Sequence, residues 1–134
     1  MPKDDAEALK WWRKSAELGW GPAQCSLGKM FADGAGVPKD LAEAHKWYRK
    51  AADQGDSRAQ LNLGMMFAQG IGVPTNTVNA YMWFNLAAAR GLQDAVTNRA
   101  KLERQMAPEQ IAEAKRLSAQ FVPRKAPPPH DAPW

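Results

Sequence analysis

The chain has 134 residues, of which 45% are hydrophobic and 24% charged, a composition typical of a globular protein. No apolar run approaches the ~20 residues of a membrane-spanning helix, and a single cysteine excludes an internal disulfide. With only two histidines beside that cysteine, we expect no metal site and no other cofactor. The net charge of +4 arises within residues 58–134 and suits either an acidic partner or solubility alone.

A period of 36 residues organises the sequence. The residues that recur at this spacing include three tryptophans, three glycines and three alanines: Trp11, Trp47 and Trp83; Gly19, Gly55 and Gly91; Ala23, Ala59 and Ala95. So many matches at one spacing indicate a repeat array, in which each helical unit buries its apolar surface only by stacking on its neighbours.

The first predicted helix covers about residues 5–18. The residues before it, 1–4, match residues 37–40 at the same spacing, so the chain begins within a unit, at the loop before that unit's second helix. We therefore expect a fragment of a longer array, or a shortened form of one. The face of the first helix that would pack on a preceding helix should be bare, and we expect self-association through it.

Residues 22–57 are predicted to form the first complete unit. Apolar residues spaced for one helical face predict its first helix, helix A, at Ala23, Leu27, Met30 and Phe31. Glycines and Pro38 end this helix. Asp40, followed three residues later by Glu43, is typical of a helix N-terminus. The second helix, helix B, is predicted to end at Gly55, which suits the position just after a helix.

The later units repeat this pattern and then depart from it. Residues 58–93 keep it, with Asn76 in place of the capping aspartate, whereas residues 94–121 lose the glycine loop and begin a last amphipathic helix at Pro108. We expect this helix, over about residues 108–120, to cap the array. The five prolines of residues 122–134 predict a disordered or polyproline tail. The predicted fold is all-α: an α/α superhelix, or solenoid, of about seven helices in units of about 1–21, 22–57, 58–93 and 94–121.

These residues resemble the Sel-one-like repeat (SLR) family, a relative of the tetratricopeptide repeat. The resemblance covers about residues 4–121 and is carried in the first complete unit by Ala23, Leu27, Gly28, Phe31, Gly34, Gly36, Val37, Asp40, Ala44, Trp47, Tyr48, Ala51, Ala52 and Gly55. The second copy keeps the same order, with Phe84 in place of tyrosine. The resemblance implies an α/α superhelix and a bacterial or eukaryotic adaptor that assembles other proteins.

A candidate partner-binding surface lies on the A helices, which line the concave side of tetratricopeptide-like stacks. Away from their core-facing sides, the A helices carry a stripe made of Cys25, Lys29, Arg58, Leu61, Met65, Ala68, Lys101 and Arg104. Its apolar centre, Leu61 and Met65, and its basic borders suit a peptide with apolar anchors and acidic neighbours. Alternatively, neighbouring A helices cover Leu61 and Met65, which would then belong to the core.

The remaining prominent residues favour structural roles. The three periodic tryptophans are predicted to lie in the core, and Gly28 and Gly64 are predicted to let helix A approach Ala51 and Ala52 of helix B closely. His45 is expected at the surface. Cys25 is expected to be a packing or groove-lining thiol, since free cysteine usually behaves as a small apolar residue.

Three classes of function follow from the sequence. The first is a non-catalytic scaffold that binds a protein or peptide in the concave groove. The second is a nucleic-acid binder, although no aromatic stacking residues alternate with its cations, which are Arg99, Lys101, Arg104, Lys115, Arg116, Arg124 and Lys125. The third is a hydrolase, but no nucleophile–base pair is visible, so we expect no enzyme.

The chain carries no address that fixes its compartment. No N-terminal segment has the charged, apolar and small-residue order of a secretory signal, so the cytoplasm is favoured. The periplasm remains open if the chain is a piece of a longer protein. We expect no membrane partner, and a nucleic-acid partner is disfavoured.

Overall fold

A computed structural model describes residues 5–123 of the chain. Within that range the chain forms seven α-helices and no strand: α1 (Asp5–Glu17), α2 (Gly21–Asp33), α3 (Leu41–Asp53), α4 (Ser57–Gln69), α5 (Thr77–Ala89), α6 (Gln93–Glu103) and α7 (Pro108–Ala119). Helices α1 to α6 each pack on the next in an all-α solenoid, with α2/α3 and α4/α5 as the two complete pairs, and α7 packs on α5. Of the predicted Pro-rich tail, residues 124–134 lie outside the described residues. None of the described helices combines the length and the apolar character that crossing a bilayer requires.

Both complete pairs have the starts and ends that the sequence predicts. The side chains of Asp40 and Asn76 each accept a hydrogen bond of 3.0 Å from the backbone N–H three residues later. Helices α2 and α4 end at Gly34 and Gly70, whose φ angles of 72° and 68° are left-handed. Glycine adopts this conformation at no steric cost, so the prediction of a glycine stop after each A helix is confirmed.

Two further glycines let each A helix lie against an aromatic ring of its partner helix. A Cβ atom at Gly28 would lie 2.8 Å from Cδ1 of Tyr48, and one at Gly64 would lie 2.5 Å from Cδ1 of Phe84. The close approach toward helix B was predicted correctly. The surface that faces the glycine is the ring of helix B, however, and not the alanine pair that the sequence suggested.

Buried glutamines join successive units. Gln24 Nε2 donates to the carbonyl oxygen of Ala16 at 3.1 Å, and Gln60 Nε2 donates to that of Ala52 at 3.2 Å. Each bond runs from an A helix to the end of the preceding B helix, so the same link occurs twice. Gln54 adds a bond of 3.0 Å to the side chain of Gln24. This link was not predicted, although the two glutamines share the spacing of the repeat.

The three periodic tryptophans do not share one environment. Trp47 and Trp83 are 5% and 2% exposed, as predicted for core residues, whereas Trp11 is 37% exposed. Trp83 lies edge-on to Phe121 at 5.8 Å, and the guanidinium of Arg49 lies 5.4 Å from its ring. The core prediction is therefore wrong for Trp11, because no helix precedes α1 among residues 5–123 to cover it.

The C-terminal end is closed by its own apolar cluster. Helix α7 packs on α5, and the buried members of this C-terminal cluster are Ala80, Tyr81, Phe84, Leu102, Met106 and Ala114. The Tyr81 hydroxyl donates to Oε1 of Glu103 at 2.5 Å. Residues 104–107, which include the buried Met106, thus link α6 to α7 where the earlier units have the glycine loop.

Candidate functional site

An open cavity of about 710 Å³ lies between α2 and α4. We call it the slot. Both A helices pack against α3 and hardly contact each other, which leaves the space between them unfilled. Along α2 the lining of the slot extends from Pro22 to Asp33, and along α4 and the loop after it from Asp56 to Ile71. Tyr48 of α3, the helix on which both A helices pack, also lines the slot. The slot therefore follows the whole length of two neighbouring A helices.

The structure brings five of the eight predicted site residues together in the slot, namely Cys25, Lys29, Arg58, Leu61 and Met65. The other three do not line it. Ala68 is half-buried and packs against the C-terminal cluster, whereas Lys101 and Arg104 are exposed on and just after α6. Of the predicted stripe, five residues thus line the slot, one packs against the C-terminal cluster and two lie exposed on and just after α6.

Leu61 and Met65 differ in how they meet the slot. Met65 is 38% exposed and lines the slot, so it is available for contact. Leu61 is half-buried; it lines the slot on one side and packs against the C-terminal cluster on the other. Leu61 is therefore in part a core residue, whereas Met65 is exposed in the slot and stays a predicted groove residue.

The charges around the slot are mixed. Lys29, Lys39 and Arg58 line it, and within the described part of the chain none of these three cations belongs to an ion pair. Asp33 and Asp56 line it as well, which the prediction of a basic border missed. Asp56 is partly engaged, because its carboxylate accepts the backbone N–H at the start of α4 at 3.0 Å. Asp33 is exposed and belongs to none of the ion pairs among the described residues, so the slot offers a ligand three cations and one carboxylate.

Cys25 is held in its neutral form. Burial, and then the charge of Asp56, raise the pKa of its thiol to about 12, against an opposing effect of Arg58 and Lys29. The thiolate is the nucleophilic form of cysteine, so a thiol with this pKa is a poor nucleophile near neutral pH. Cys25 thus presents a small, weakly polar surface to the slot, in agreement with the packing role expected from the sequence.

Tyr48 contributes a hydroxyl that the sequence analysis did not single out. The residue is only 4% exposed, and it lines the slot. Burial raises the pKa of its phenol, and Cys25 and Asp33 act in the same direction, so the hydroxyl stays protonated. The corresponding residues of the other units are Trp12 and Phe84, which have no hydroxyl. That difference between the units is visible in the sequence.

His45 lies in a different place from the one expected. It is half-buried and meets the ring of Phe67 edge-on, with centroids 5.6 Å apart. Burial, and then the charge of Arg49, lower the pKa of its imidazole. His45 is therefore a half-buried packing residue of α3, and the prediction of a surface side chain is wrong.

The cations of the nucleic-acid alternative are only partly available. Arg99 donates to Asn85 at 2.8 Å, and Arg116 donates to Glu113 at 2.6 and 2.9 Å. Arg124 and Lys125 fall outside the described residues. Within residues 5–123, no group of three or more His, Cys, Asp or Glu side chains is placed to hold a metal ion.

Comparison with known proteins agrees with this architecture. No curated protein sequence matches the chain. Among solved structures, c5321, a protective antigen of uropathogenic Escherichia coli strains with an SLR fold, superimposes with a TM-score of 0.85 and 35% identity over 95% of this chain and 28% of that one. A Sel1 repeat protein from Oxalobacter formigenes superimposes with a TM-score of 0.75 and 31% identity over 90% of this chain and 51% of that one.

The chain therefore spans about half or less of the length of these two proteins. The family model described as Sel1 repeat matches residues 1–20, 21–56 and 57–92, which include both complete helix pairs that enclose the slot. By its repeat, its helix pairs and these matches, the chain belongs to the Sel1 repeat family.

Proposed function

We propose that this chain is a non-catalytic scaffold that binds a segment of a partner protein in the slot between α2 and α4. Sel1 repeat proteins are generally protein-interaction scaffolds. The observation that carries the proposal for this chain is the slot itself, an open cavity along two A helices with the exposed Met65 inside it.

The side chains of the slot suit a peptide better than a small polar ligand. Covering the exposed part of Met65 removes apolar surface from water, which stabilises a complex by about 25 cal/mol per Å². Methionine is flexible and polarizable, so it adapts to different apolar anchors. The half-buried Leu61 lies one helical turn away on the same helix and extends this apolar surface.

The cations favour an acidic partner segment. Lys29, Lys39 and Arg58 make no ion pair with described residues, and the chain as a whole carries a net charge of +4. Complementary charge speeds association and selects among partners more than it raises affinity. We therefore expect acidic residues next to the apolar anchor of the partner.

Selection from a random heptapeptide library displayed on phage tests this function, with the purified chain as bait. We expect enriched peptides to bind the Met65→Glu variant at least tenfold more weakly, because the new carboxylate lies in the slot. Val122→Glu is the matched control, since Val122 is 79% exposed and lies off the slot. Equal binding to the parent and to Met65→Glu, with helicity unchanged by circular dichroism, would contradict the proposal.

A second interaction is favoured at the other end of the molecule, namely self-association through α1. Trp11 is 37% exposed there, and its ring lies 4.5 Å from that of Trp12 and 6.0 Å from that of Trp20. Such an aromatic cluster offers a large apolar surface to a second copy. We expect light scattering over a concentration series to detect dimers, which Trp11→Ser weakens and the control Val122→Ser does not. A parent chain that stays monomeric at the highest concentration would exclude this interaction.

A further inference from the structure

We infer that the Tyr48 hydroxyl, together with Lys29 and Arg58, forms a subsite in the slot that binds the carboxylate of an acidic side chain in an extended peptide. This inference rests on the proposed function and names the chemistry of its ligand. It assigns a binding role to a residue whose position in the repeat is otherwise a packing position.

The Tyr48 hydroxyl lacks a protein partner. Tyr48 is 4% exposed, yet its hydroxyl makes no hydrogen bond with any residue of the described range. Its oxygen is not one of the fully enclosed side-chain atoms without a partner, such as Trp47 Nε1, so solvent reaches it. Because Tyr48 lines the slot, the acceptor for this hydroxyl comes from the slot: water in the free protein and a ligand oxygen in the complex.

Packing of the helices does not require this hydroxyl. Tyr48 lies against Gly28 in the same way that Phe84 lies against Gly64 in the next unit. Phenylalanine therefore serves the contact between the helices equally well. What the hydroxyl adds is a donor in the slot, which the equivalent position of the next unit lacks.

Two cations line the slot together with the hydroxyl. Lys29, Arg58 and Cys25 line it with Tyr48, and both cations act on the thiol of Cys25. A ligand carboxylate placed there accepts from the neutral hydroxyl and lies near two cations without ion pairs. Charge-assisted hydrogen bonds of this kind are about twice as strong as neutral ones.

Asp33 limits where a ligand carboxylate binds in the subsite. It also acts on the phenol of Tyr48, and it lies one turn beyond Lys29 on α2. A ligand carboxylate is repelled from that side and is directed toward Arg58. Next to Asp33 we expect a neutral or cationic residue of the peptide.

The length of the slot limits the peptide. From Pro22 to Asp33 the lining of α2 extends about 17 Å at ~1.5 Å per residue. An extended chain advances ~3.3 Å per residue, so the slot holds about five residues. We expect a segment with one acidic residue over Tyr48 and an apolar residue on Met65.

The same displayed heptapeptide library, selected in parallel on the parent and on Tyr48→Phe, tests this inference. On the parent we expect Asp or Glu to be enriched at one position beside an apolar residue. On Tyr48→Phe we expect the apolar residue to remain and the acidic enrichment to disappear. In fluorescence anisotropy, replacing the selected Glu by Gln should weaken binding to the parent about tenfold and to Tyr48→Phe much less.

Tyr81→Phe is the matched control, because it removes a hydroxyl that lies off the slot and donates to Glu103. It should leave the preference for Glu over Gln unchanged. Equal acidic enrichment on the parent and on Tyr48→Phe, or apolar peptides without an acidic residue, would overturn the subsite and leave the proposed function standing. If no peptide prefers the parent over Met65→Glu, the proposed function fails and the subsite fails with it.

Discussion

The interface between α2 and α4 and the interface between α4 and α6 occupy equivalent places in the repeat, but different side chains line them. The first contains the slot, with five predicted site residues in its lining. In the second, both Leu61 and Ala68 pack against the C-terminal cluster, to which Leu102 of α6 belongs. Tyr48 faces the slot with an unpartnered hydroxyl, whereas Tyr81 is bound to Glu103. The period thus sets the helices, and the residues that depart from the period decide which side chains each interface presents.

The largest effect that we expect is slow alkylation of Cys25 in the folded chain compared with the denatured chain. It tests whether the thiol is buried at the wall of the slot. With the pKa raised from 9.0 to about 12, the thiolate at pH 8 is about a thousandfold scarcer than for an unperturbed cysteine. Alkylation by iodoacetamide, followed by mass spectrometry, should be correspondingly slow and should accelerate about tenfold per pH unit toward pH 10. The same chain in denaturant is the control. Equal rates in the folded and denatured chain would show that the slot does not bury this thiol.

Alanine should be unfavourable at Gly64, where helix α4 lies close to an aromatic ring, and favourable at Ala100, the equivalent position of the next unit. A Cβ atom at Gly64 would lie 2.5 Å from the Phe84 ring, so Gly64→Ala should lower the free energy of unfolding by about 1–2 kcal/mol despite the better helix propensity of alanine. Chemical denaturation measures this change.

Ala100 is the matched position in the third unit, where alanine occurs naturally and is exposed. There Ala100→Gly should cost about 1 kcal/mol through helix propensity alone. A Gly64→Ala variant more stable than the parent would refute the close-packing explanation.

The two tyrosines should respond differently to loss of the hydroxyl, and this is the smallest effect. Tyr81→Phe removes a hydrogen bond to Glu103 and should lower the free energy of unfolding by about 1 kcal/mol. Tyr48→Phe should leave it unchanged within about 0.5 kcal/mol, because no described residue accepts from that hydroxyl. Thermal or chemical unfolding of both variants decides the point, and an equal loss in both would mean that the Tyr48 hydroxyl stabilises the fold.

The fold was predictable because its signals are local. Asp40 and Asn76 cap their helices through backbone atoms three residues away, and Gly34 and Gly70 end helices through their own φ angles. Such signals depend only on neighbours in sequence. The exposure of Trp11 depends on which helices lie beside α1. The repeat spacing carries no information about that, so the prediction of a core position from the spacing was wrong.

The candidate site was predictable only in part. A helical wheel finds Cys25, Lys29 and Met65 on the side of the A helices away from the core, and they do line the slot. The same wheel included Lys101 and Arg104, because it treats every A helix alike. It left out Asp33, Asp56 and the Tyr48 hydroxyl, since each enters the slot from a helix end or from the B helix.

By itself, the sequence determined the repeat, the order of helices and the glycines that end the A helices, because capping, helical periodicity and left-handed glycines are encoded in residues at fixed spacing. Only the tertiary structure decided that α2 and α4 enclose the slot and that Tyr48 of α3 lines it. The physical reason is that a cavity depends on the distances between helices, which follow from how all side chains of neighbouring units pack together.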